Sequence, residues 1–320
     1  MIYGSVPGLD RACSRLVLGT MAFSSAEKDR WWRLLDRFVE SGGNCIDTAL
    51  IYQGGESELI IGQWLKARGI RGEVIVLTKG AHPKADGKPR VRPEAIAEDL
   101  EISLNRLGVE SIDLYLLHRD DPSVPVDEIV DALNREKGAG RLRAFGGSNW
   151  SVQRLQAANE YALGRGMTPF AASSPQFSLA LTKEPRWPGC TSVTPEDLRW
   201  YQESQMPLFA WSSQASGFFA GRIARHGDDP SDLRRVYDLP ENWARLARAE
   251  RLAKAKGQAP TQIALAYVLC QPFPTFPLIG PLTEEELAES LAATKVELTP
   301  EEVMWLDGRR LDPPFPLNAS

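Results

Sequence analysis

Two kinds of apolar pattern alternate along the chain. Short apolar runs are typical of buried strands, and segments with apolar residues every three or four positions are typical of amphipathic helices. The turn-rich residues 1–15 predict a hairpin. The runs predict eight strands, at 16–18, 44–47, 73–78, 112–117, 142–147, 169–173, 207–211 and 275–279. The periodic segments predict helices at 26–41, 57–67, 93–107, 126–138, 151–163, from 194 onward, and at 241–256, 261–270, 283–292 and 300–308.

Strands that alternate with helices form parallel sheets, and eight such units predict an α/β fold of the (β/α)₈ TIM-barrel type. No flexible linker divides the chain, so residues 1–320 are expected to form a single barrel domain with an N-terminal hairpin and extra C-terminal helices. The alternative is a doubly wound sheet, but the G-x-G-x-x-G motif expected after its first strand does not occur. The stretch 212–240 is too long for a plain connector and is interpreted as a lid.

Composition narrows the possible functions. Hydrophobic residues make up 43% and charged residues 25%, as in soluble globular proteins. A net charge of −5 provides no basic surface for nucleic acid, and no run approaches the ~18 apolar residues of a membrane span. The N-terminus lacks signal-peptide features, and the four cysteines form no Cys-x-x-Cys pair. We expect a cytoplasmic protein with reduced thiols and, because its three histidines lack ligand spacing, no metal site.

Candidate catalytic residues occur at the ends of three consecutive predicted strands. Asp47, Lys79 and His118 each stand at one strand end, and Tyr52 lies in the glycine-rich loop after Asp47. In parallel α/β folds this edge carries the active site. Ordinary interpretations exist for each residue: a loop cap for Asp47, a solvated charge for Lys79, a surface charge cluster for His118. Tyr52 alone would be a packed aromatic, but the matching positions together favour a shared catalytic role.

Five motifs in register resemble the aldo-keto reductase superfamily over about residues 16–306. They are Leu18-Gly19-Thr20-Met21, Ile46-Asp47-Thr48-Ala49 with Tyr52 and Ser57-Glu58, Thr78-Lys79, Leu117-His118, and Gly146-Gly147-Ser148-Asn149. The resemblance implies a (β/α)₈ barrel that reduces carbonyls with a nicotinamide cofactor, NAD(P)H, and without a metal. It also implies a catalytic tetrad of Asp47, Tyr52, Lys79 and His118.

Carbonyl chemistry suggests a role for each tetrad member. Hydride addition builds negative charge on the carbonyl oxygen, so a proton donor must stand beside it. Tyr52 is the predicted acid, and the base in the oxidative direction, although a free phenol titrates near ~10. A Lys79 ammonium would lower that pKa, and Asp47 would keep the ammonium charged and in place. His118 would orient and polarise the same oxygen through an N–H group.

The resemblance also implies cofactor contacts. Ser148, Asn149 and Gln176 match positions that bind the nicotinamide carboxamide, and Trp211 stands where the family usually has a tyrosine stacked on the ring. The usual Ser-Pro-Leu after that aromatic is here Ser-Ser-Gln. The full predicted set of cofactor-binding residues is Gly19, Thr20, Asp47, Ser148, Asn149, Gln176, Trp211, Ser212, Gln214, Gly280, Leu282, Thr283, Glu286 and Ser290.

Cofactor preference is predicted from the segment that begins at Gly280. Family members that prefer NADPH often carry Lys or Arg early in this segment and Arg or Gln at the position of Glu286. Here the segment has no cation, and acids occupy the first helical turn, where the macrodipole also favours them. A carboxylate would repel the 2′-phosphate of NADP(H) and accept ribose hydroxyls of NAD(H). The hypothesis is that NAD(H) is used at least as well as NADP(H), unless Arg222 or Arg225 supplies the missing charge.

The predicted partner is a small carbonyl substrate or its alcohol. Aromatic and charged residues occur together in the strand-end loops, which suits a polyol, sugar or keto-sugar better than a lipid or steroid. Two alternatives stay open: a nicotinamide-binding regulatory barrel with little turnover, like ion-channel β-subunits, and a glycoside hydrolase, which needs two facing carboxylates. The predicted substrate-binding residues are Phe23, Tyr52, His118, Arg119 and Trp150.

Overall fold

The computed structural model describes residues 1–84, 87–223 and 232–315. Strands in these ranges are β1 (Tyr3–Gly4), β2 (Cys13–Ser14), β3 (Val17–Gly19), β4 (Cys45–Asp47), β5 (Ile75–Gly80), β6 (Ile112–Leu117), β7 (Leu142–Ser148), β8 (Ala172–Ser174), β9 (Leu208–Ala210) and β10 (Thr275–Ile279). Helices are α1 (Lys28–Glu40), α2 (Glu56–Arg68), α3 (Pro93–Leu107), α4 (Val126–Gly138), α5 (Val152–Gly164), α6 (Pro195–Ser204), α7 (Asp232–Tyr237), α8 (Pro240–Lys256), α9 (Pro260–Leu269), α10 (Glu284–Ala292) and α11 (Pro300–Asp307).

Strands β3 to β10 form a closed barrel in which all neighbouring strands are parallel. Sequential strands lie side by side, and β10 closes the circle by pairing with β3. Helices connect the strands because a parallel pair needs a long crossover, which a helix packed on the sheet provides. The predicted (β/α)₈ barrel is confirmed, and the doubly wound alternative is excluded. The predicted N-terminal hairpin is also confirmed, as β1 pairs antiparallel with β2.

Alternating side chains along the barrel strands fill two separate cores. One set packs between the strands and the surrounding helices. The other set fills the barrel interior, where Val6 and Cys13 from the hairpin region pack with Val17, Cys45 and Ile75 near the strand starts. The hairpin therefore covers the amino end of the barrel and leaves the carboxyl end of the strands for a site.

Among the barrel strands, the sixth has the start that differs most from its prediction. The sequence predicts the sixth strand at 169–173, but β8 begins at Ala172 and ends at Ser174. Its position is set by its neighbour, because β7 pairs with it residue by residue from Gly146 onward. The apolar residues that suggested an earlier start are buried just ahead of the strand. Burial of apolar residues therefore does not by itself locate the hydrogen-bonded part of a strand.

The long stretch 212–240 is partly regular. It contains a 3₁₀ helix, Ala215–Ala220, and helix α7, while residues 224–231 lie outside the described residues. Its role as a lid stays a prediction. Within the described ranges, no helix is long and apolar enough to cross a membrane, and no group of His, Cys, Asp and Glu is arranged to hold a metal.

A side chain at Gly146 would collide with the neighbouring strand. A Cβ atom there would lie 2.0 Å from the backbone oxygen of Ala172. We expect Gly146→Ala to lower the free energy of unfolding by about 1–3 kcal/mol, because overpacking forces the backbone to shift. Urea unfolding followed by circular dichroism measures this loss. Gly164→Ala is the control, since open space surrounds Gly164 at the end of α5; equal losses would contradict the prediction.

Candidate active site

The barrel brings Asp47, Lys79 and His118 together at one edge. Asp47 ends β4, Lys79 is the penultimate residue of β5, and His118 follows β6. In each strand, the residue two positions earlier packs in the barrel interior. Because side chains alternate along a strand, all three ionisable groups face the mouth of the barrel at its carboxyl end. The spacing of the sequence thus dictates their convergence.

The Lys79 ammonium lies between Asp47 and Tyr52. It forms an ion pair with the Asp47 carboxylate. It also donates hydrogen bonds to the Thr48 backbone oxygen at 2.9 Å and to the Tyr52 hydroxyl oxygen at 3.2 Å. The rings of Tyr52 and His118 meet edge to face, with centroids 5.8 Å apart. Because Asp47 and Lys79 are each 2% exposed, Lys79 is not a solvated surface charge.

Buried hydroxyl groups fix the chain on both sides of Tyr52. A 3₁₀ helix, Tyr52–Gly55, runs directly into α2. The Ser57 hydroxyl, in the first turn of α2, lies 2.6 Å from that of Thr20 and 2.9 Å from that of Thr48. The Thr20 hydroxyl also donates to the Asp47 backbone oxygen at 2.9 Å. Strand ends β3 and β4 are thereby tied to the start of α2, which restricts where Tyr52 can lie.

A second buried carboxylate, Glu58, anchors the same loop to β5. It accepts hydrogen bonds from the Thr78 hydroxyl at 2.6 Å and from Arg106 at 3.4 Å. Arg106 also donates to the Leu50 backbone oxygen at 2.8 Å. Burial raises the pKa of Glu58, and these hydrogen bonds oppose the rise. Since Thr78 precedes Lys79, the cluster positions the lysine and the Tyr52 loop relative to each other.

A fixed positive charge stands beside the phenol. Burial lowers the pKa of Lys79, but Asp47 and then Tyr52 raise it, and the net pKa lies above its ordinary value. Burial raises the pKa of Asp47, and the Lys79 charge opposes that rise. The ammonium therefore stays protonated at neutral pH, as its proposed role requires.

Tyr52 and His118 are both uncharged at neutral pH. Burial raises the pKa of Tyr52, and the Lys79 charge opposes the rise. The sequence predicts the effect of Lys79, but burial outweighs it, so the pKa lies above rather than below its ordinary value. Burial, then Lys79 and Arg119, hold the pKa of His118 well below its ordinary value. The phenol keeps a proton to donate, and the neutral imidazole keeps one N–H.

Residues predicted to bind the nicotinamide lie together on the adjoining strand ends. Ser148 ends β7, and its hydroxyl donates to a β8 backbone oxygen at 2.9 Å. Asn149 has a left-handed φ of 61° and accepts a hydrogen bond from the Trp211 indole at 3.2 Å. Gln176 pairs with Trp211 in a parallel bridge and donates to the Tyr237 hydroxyl at 2.5 Å. These contacts hold an indole ring, a hydroxyl and two amides within one cluster.

The predicted adenosine end carries an ion pair. Thr283 caps α10 by accepting a hydrogen bond from the Glu286 backbone N–H at 3.2 Å. One Glu286 carboxylate oxygen accepts from the Leu282 backbone N–H at 2.7 Å, and the other lies 3.0 Å from Arg222. Arg222 is one of the two arginines considered as a source of the missing charge, and the other, Arg225, lies outside the described residues.

The remaining predicted cofactor residues flank these two regions. The Gln214 amide donates to the Ser290 hydroxyl at 3.4 Å, which joins the loop after β9 to α10. Ser212, in the same loop, has a φ of 51°. Gly19 ends β3, where a Cβ atom would lie 3.1 Å from the β10 backbone, and Gly280 follows β10 with open space around it. The ends of β3, β9 and β10 thus lie next to one another, because β10 pairs with both of the other strands.

Two of the predicted substrate residues lie in the core. Phe23 is 1% exposed and stacks on a tryptophan of α1, with centroids 4.7 Å apart. Trp150 packs on Phe170 at 5.0 Å, and its indole donates to the Arg119 backbone oxygen at 3.1 Å. Both rings are packed in the core, and their contact with a substrate stays a prediction. Arg119 does lie beside the tetrad, since its guanidinium donates to the His118 backbone oxygen at 2.8 Å.

Two aromatic residues at this edge are not among the predicted site residues. His82, in the loop after β5, packs edge to face on His118 with centroids 4.9 Å apart. Trp187 lies 5.9 Å from Trp211, measured between ring centroids. The position of His82, three residues after Lys79, was the signal that could have found it. Trp187 comes from an irregular loop, where no periodicity indicates the direction of a side chain.

Left-handed backbone conformations cluster at the same edge. Seven described residues other than glycine have a positive φ, and one of these, Gln205, ends α6. Such conformations are costly for ordinary side chains and gather at functional sites. The other six all follow β4, β5, β7 or β9, and are Gln53, Ala81, Asn149, Ser212, Ala215 and Ser216.

Known proteins resemble this chain over most of its length. The model of the aldo/keto reductase family matches residues 15–309. A probable aryl-alcohol dehydrogenase of Saccharomyces cerevisiae is 28% identical, with 92% of each chain covered. A norsolorinic acid reductase of Emericella nidulans is 30% identical, covering 92% of this chain and 77% of that one. The solved glycerol dehydrogenase of Gluconobacter oxydans is 27% identical with a TM-score of 0.79, covering 99% of this chain and 98% of that one. The chain therefore belongs to the aldo/keto reductase family of oxidoreductases.

Proposed function

We propose that the protein interconverts an aldehyde or ketone and its alcohol with NAD(P)(H), using Tyr52 as the general acid and base. The observation that carries the proposal is the buried Lys79 ammonium, which contacts both Asp47 and the Tyr52 hydroxyl. Relatives named as dehydrogenases and reductases support an enzyme over a regulatory barrel. A glycoside hydrolase would need a second facing carboxylate, whereas the tetrad contains Asp47 alone.

A carbonyl oxygen between Tyr52 and His118 would be activated from two sides. When bound, the reduced nicotinamide supplies a hydride to the carbonyl carbon. As charge grows on the oxygen, Tyr52 donates its proton to it, and Lys79 stabilises the phenolate left behind. Neutral His118 donates an N–H hydrogen bond to the same oxygen. In the reverse direction, the Tyr52 phenolate removes the proton of the alcohol.

The strand-end residues fit a nicotinamide cofactor. Ser148, Asn149 and Gln176 offer the hydroxyl and amide groups that a carboxamide requires, with the Trp211 indole beside them for stacking. Ser174 Oγ is buried in the same region, without a hydrogen-bond partner in the described ranges. We propose that these residues bind and orient the cofactor.

Turnover distinguishes this proposal from its alternatives. The protein is mixed with NADH or NADPH and with benzaldehyde, glyceraldehyde or xylose, of which the last two represent the predicted polyol and sugar class. We expect loss of the reduced-nicotinamide absorbance and formation of the matching alcohol with at least one carbonyl. Tight cofactor binding without turnover across the panel would favour the regulatory barrel. Cleavage of an aryl glycoside would favour the hydrolase.

We also propose that NAD(H) is used at least as well as NADP(H). Support comes from Glu286, whose side chain is 37% exposed and can accept ribose hydroxyls. Arg222 neutralises part of its charge, but that arginine is 53% exposed, so solvent weakens the pair. The Glu286 charge therefore disfavours binding of a 2′-phosphate only modestly.

Removing either member of this pair should change cofactor preference. We expect Glu286→Gln to raise NADPH affinity relative to NADH by about three- to tenfold, because it removes like charge and frees Arg222 for the 2′-phosphate. Arg222→Gln should lower the same ratio. Dissociation constants at low salt measure both, and Glu284→Gln removes an exposed acid of the same helical turn as a control. Wild-type NADPH affinity more than about tenfold above that for NADH, ~1.4 kcal/mol, would contradict the preference.

A further inference from the structure

A buried arginine without an acidic partner stands beside the tetrad. Arg119 directly follows His118 and is 8% exposed. Its guanidinium donates from Nη1 to the His118 backbone oxygen at 2.8 Å and from Nε to the Pro188 backbone oxygen at 3.3 Å. No carboxylate of the described residues forms an ion pair with it, and its Nη2 has no hydrogen bond to them. A buried cation is costly to leave without a counter-charge.

The acids that follow Arg119 in the sequence serve other groups. Asp120 accepts hydrogen bonds from Arg154 Nε at 2.9 Å and Nη2 at 3.0 Å. Asp121 accepts from the backbone N–H of Ser123 at 3.1 Å and from its hydroxyl at 2.6 Å. Two carboxylates are thus adjacent in sequence to Arg119, yet neither compensates its charge. Arg119 therefore has no acidic partner because the fold directs the neighbouring carboxylates to Arg154 and Ser123.

The Arg119 charge also acts on the groups around the reacting position. Burial lowers the pKa of His82, whose ring packs on His118, and Arg119 lowers it further. Burial raises the pKa of Tyr52, which Lys79 and, more weakly, Arg119 oppose. Lys79 and, after it, Arg119 place positive charge near the His118 imidazole, and Arg119 is the cation that acts on His82. An anion placed there would meet a favourable field.

We propose that Arg119 binds an acidic group of the substrate, so that the preferred substrates are carbonyl compounds that also carry a carboxylate. This inference rests on the proposed carbonyl reductase function. The unused N–H groups of a guanidinium can hold a carboxylate through two parallel hydrogen bonds. The carbonyl group would lie between Tyr52 and His118, and Trp187, adjacent to Pro188, would supply an aromatic wall for the rest of the molecule.

A purely structural role for Arg119 makes a different prediction. If the arginine only ties the loop at Pro188 to the end of β6, its loss should weaken turnover of all carbonyl substrates alike. If it binds a carboxylate, its loss should weaken turnover of acidic substrates selectively. Substrates that differ only in one negative charge therefore separate the two roles.

Two matched substrate pairs provide the test: 4-carboxybenzaldehyde and 3-carboxybenzaldehyde, each with its methyl ester. We expect the wild-type kcat/KM for the acids to exceed that for the esters by at least about tenfold at low ionic strength, and the advantage to shrink as salt is added. Arg119→Gln should lower the acid-to-ester ratio by about ten- to a hundredfold, and Arg119→Lys should retain part of it. Arg199→Gln removes an exposed arginine of α6 and should leave the ratio unchanged.

Binding measurements separate failure of this inference from failure of the proposed function. The acids and esters are titrated calorimetrically into wild type and Arg119→Gln saturated with oxidised cofactor, where no reduction occurs. Reduction of esters without an acid preference, or an unchanged ratio in Arg119→Gln, would overturn the inference and leave the reductase function standing. If neither these substrates nor any carbonyl of the panel is reduced, the proposed function fails, and binding then decides the inference. Acid binding that is lost in Arg119→Gln supports the site, and equal binding overturns it.

Discussion

Tyr52→Phe is expected to lose most carbonyl reduction while keeping its fold and its cofactor affinity. The substitution removes only the hydroxyl, and with it the proton that the product oxygen requires. The loss of one general acid costs about 10²–10⁴-fold in kcat. Lys79 loses one acceptor but keeps the Asp47 carboxylate and the Thr48 backbone oxygen, so the ammonium should stay in place. Steady-state kcat with the best aldehyde of the panel measures the effect.

A second phenol provides the comparison for this variant. Tyr161→Phe removes a hydroxyl that donates to Asp131 at 3.0 Å on the helix layer, and its kcat should stay at the wild-type value. Cofactor dissociation constants and urea unfolding should be the same for Tyr52→Phe and wild type. A near-normal kcat in Tyr52→Phe would mean that another group delivers the proton, and the proposed tetrad would be wrong.

The convergence of the candidate site was predictable because it follows from strand periodicity. Side chains alternate along a strand, and the sequence gives the phase: the residues two positions before Asp47, Lys79 and His118 are all apolar. Once eight strand–helix units imply a barrel, its parallel strands must end at one edge. The barrel prediction depended on this periodicity and the hairpin prediction on the turn-rich start of the chain, and tertiary packing overruled neither.

Loop side chains were predictable only in part. Phe23 and Trp150 lie near strand ends, yet both rings turn into the core, where burial of large aromatic surface stabilises the fold. His82 and Trp187, which are not among the predicted site residues, pack instead on His118 and Trp211. The contact between Arg222 and Glu286 joins residues 64 positions apart, one of them in an irregular loop. None of these side-chain directions follows from the spacing of apolar residues along the chain.

The pKa of Tyr52 was also predictable only in part. The sequence indicates that a cation stands beside the phenol, and the contact with Lys79 agrees with that. The depth of burial, which decides the net direction, depends on residues from many elements. Burial raises the pKa of Tyr52 more than Lys79 lowers it. The role of Lys79 is therefore to limit a rise, and removing it should expose the full effect of burial.

Lys79→Met is accordingly expected to impair turnover severely and to shift alcohol oxidation to higher pH. Oxidation needs the Tyr52 phenolate, and without the ammonium the phenol holds its proton more tightly. The variant should also lose about 3–5 kcal/mol of unfolding free energy, because Asp47 is left as an unpaired buried charge. Oxidation of glycerol and benzyl alcohol as a function of pH measures the first effect, and urea unfolding measures the second.

Two comparisons make the Lys79 result decisive. Asp47→Asn combined with Lys79→Met removes both charges and should recover part of the lost unfolding free energy. Lys256→Met breaks a peripheral ion pair with Glu302 and should change neither the turnover rate nor its pH profile. If turnover is too low to follow, the absorbance difference between Lys79→Met and Lys79→Met/Tyr52→Phe reports the ionisation of Tyr52 directly. When this difference is followed as a function of pH, its midpoint should lie above the midpoint of the difference between wild type and Tyr52→Phe. An unchanged midpoint would show that the ammonium does not tune the phenol, and Lys79 would then serve only to balance the charge of Asp47.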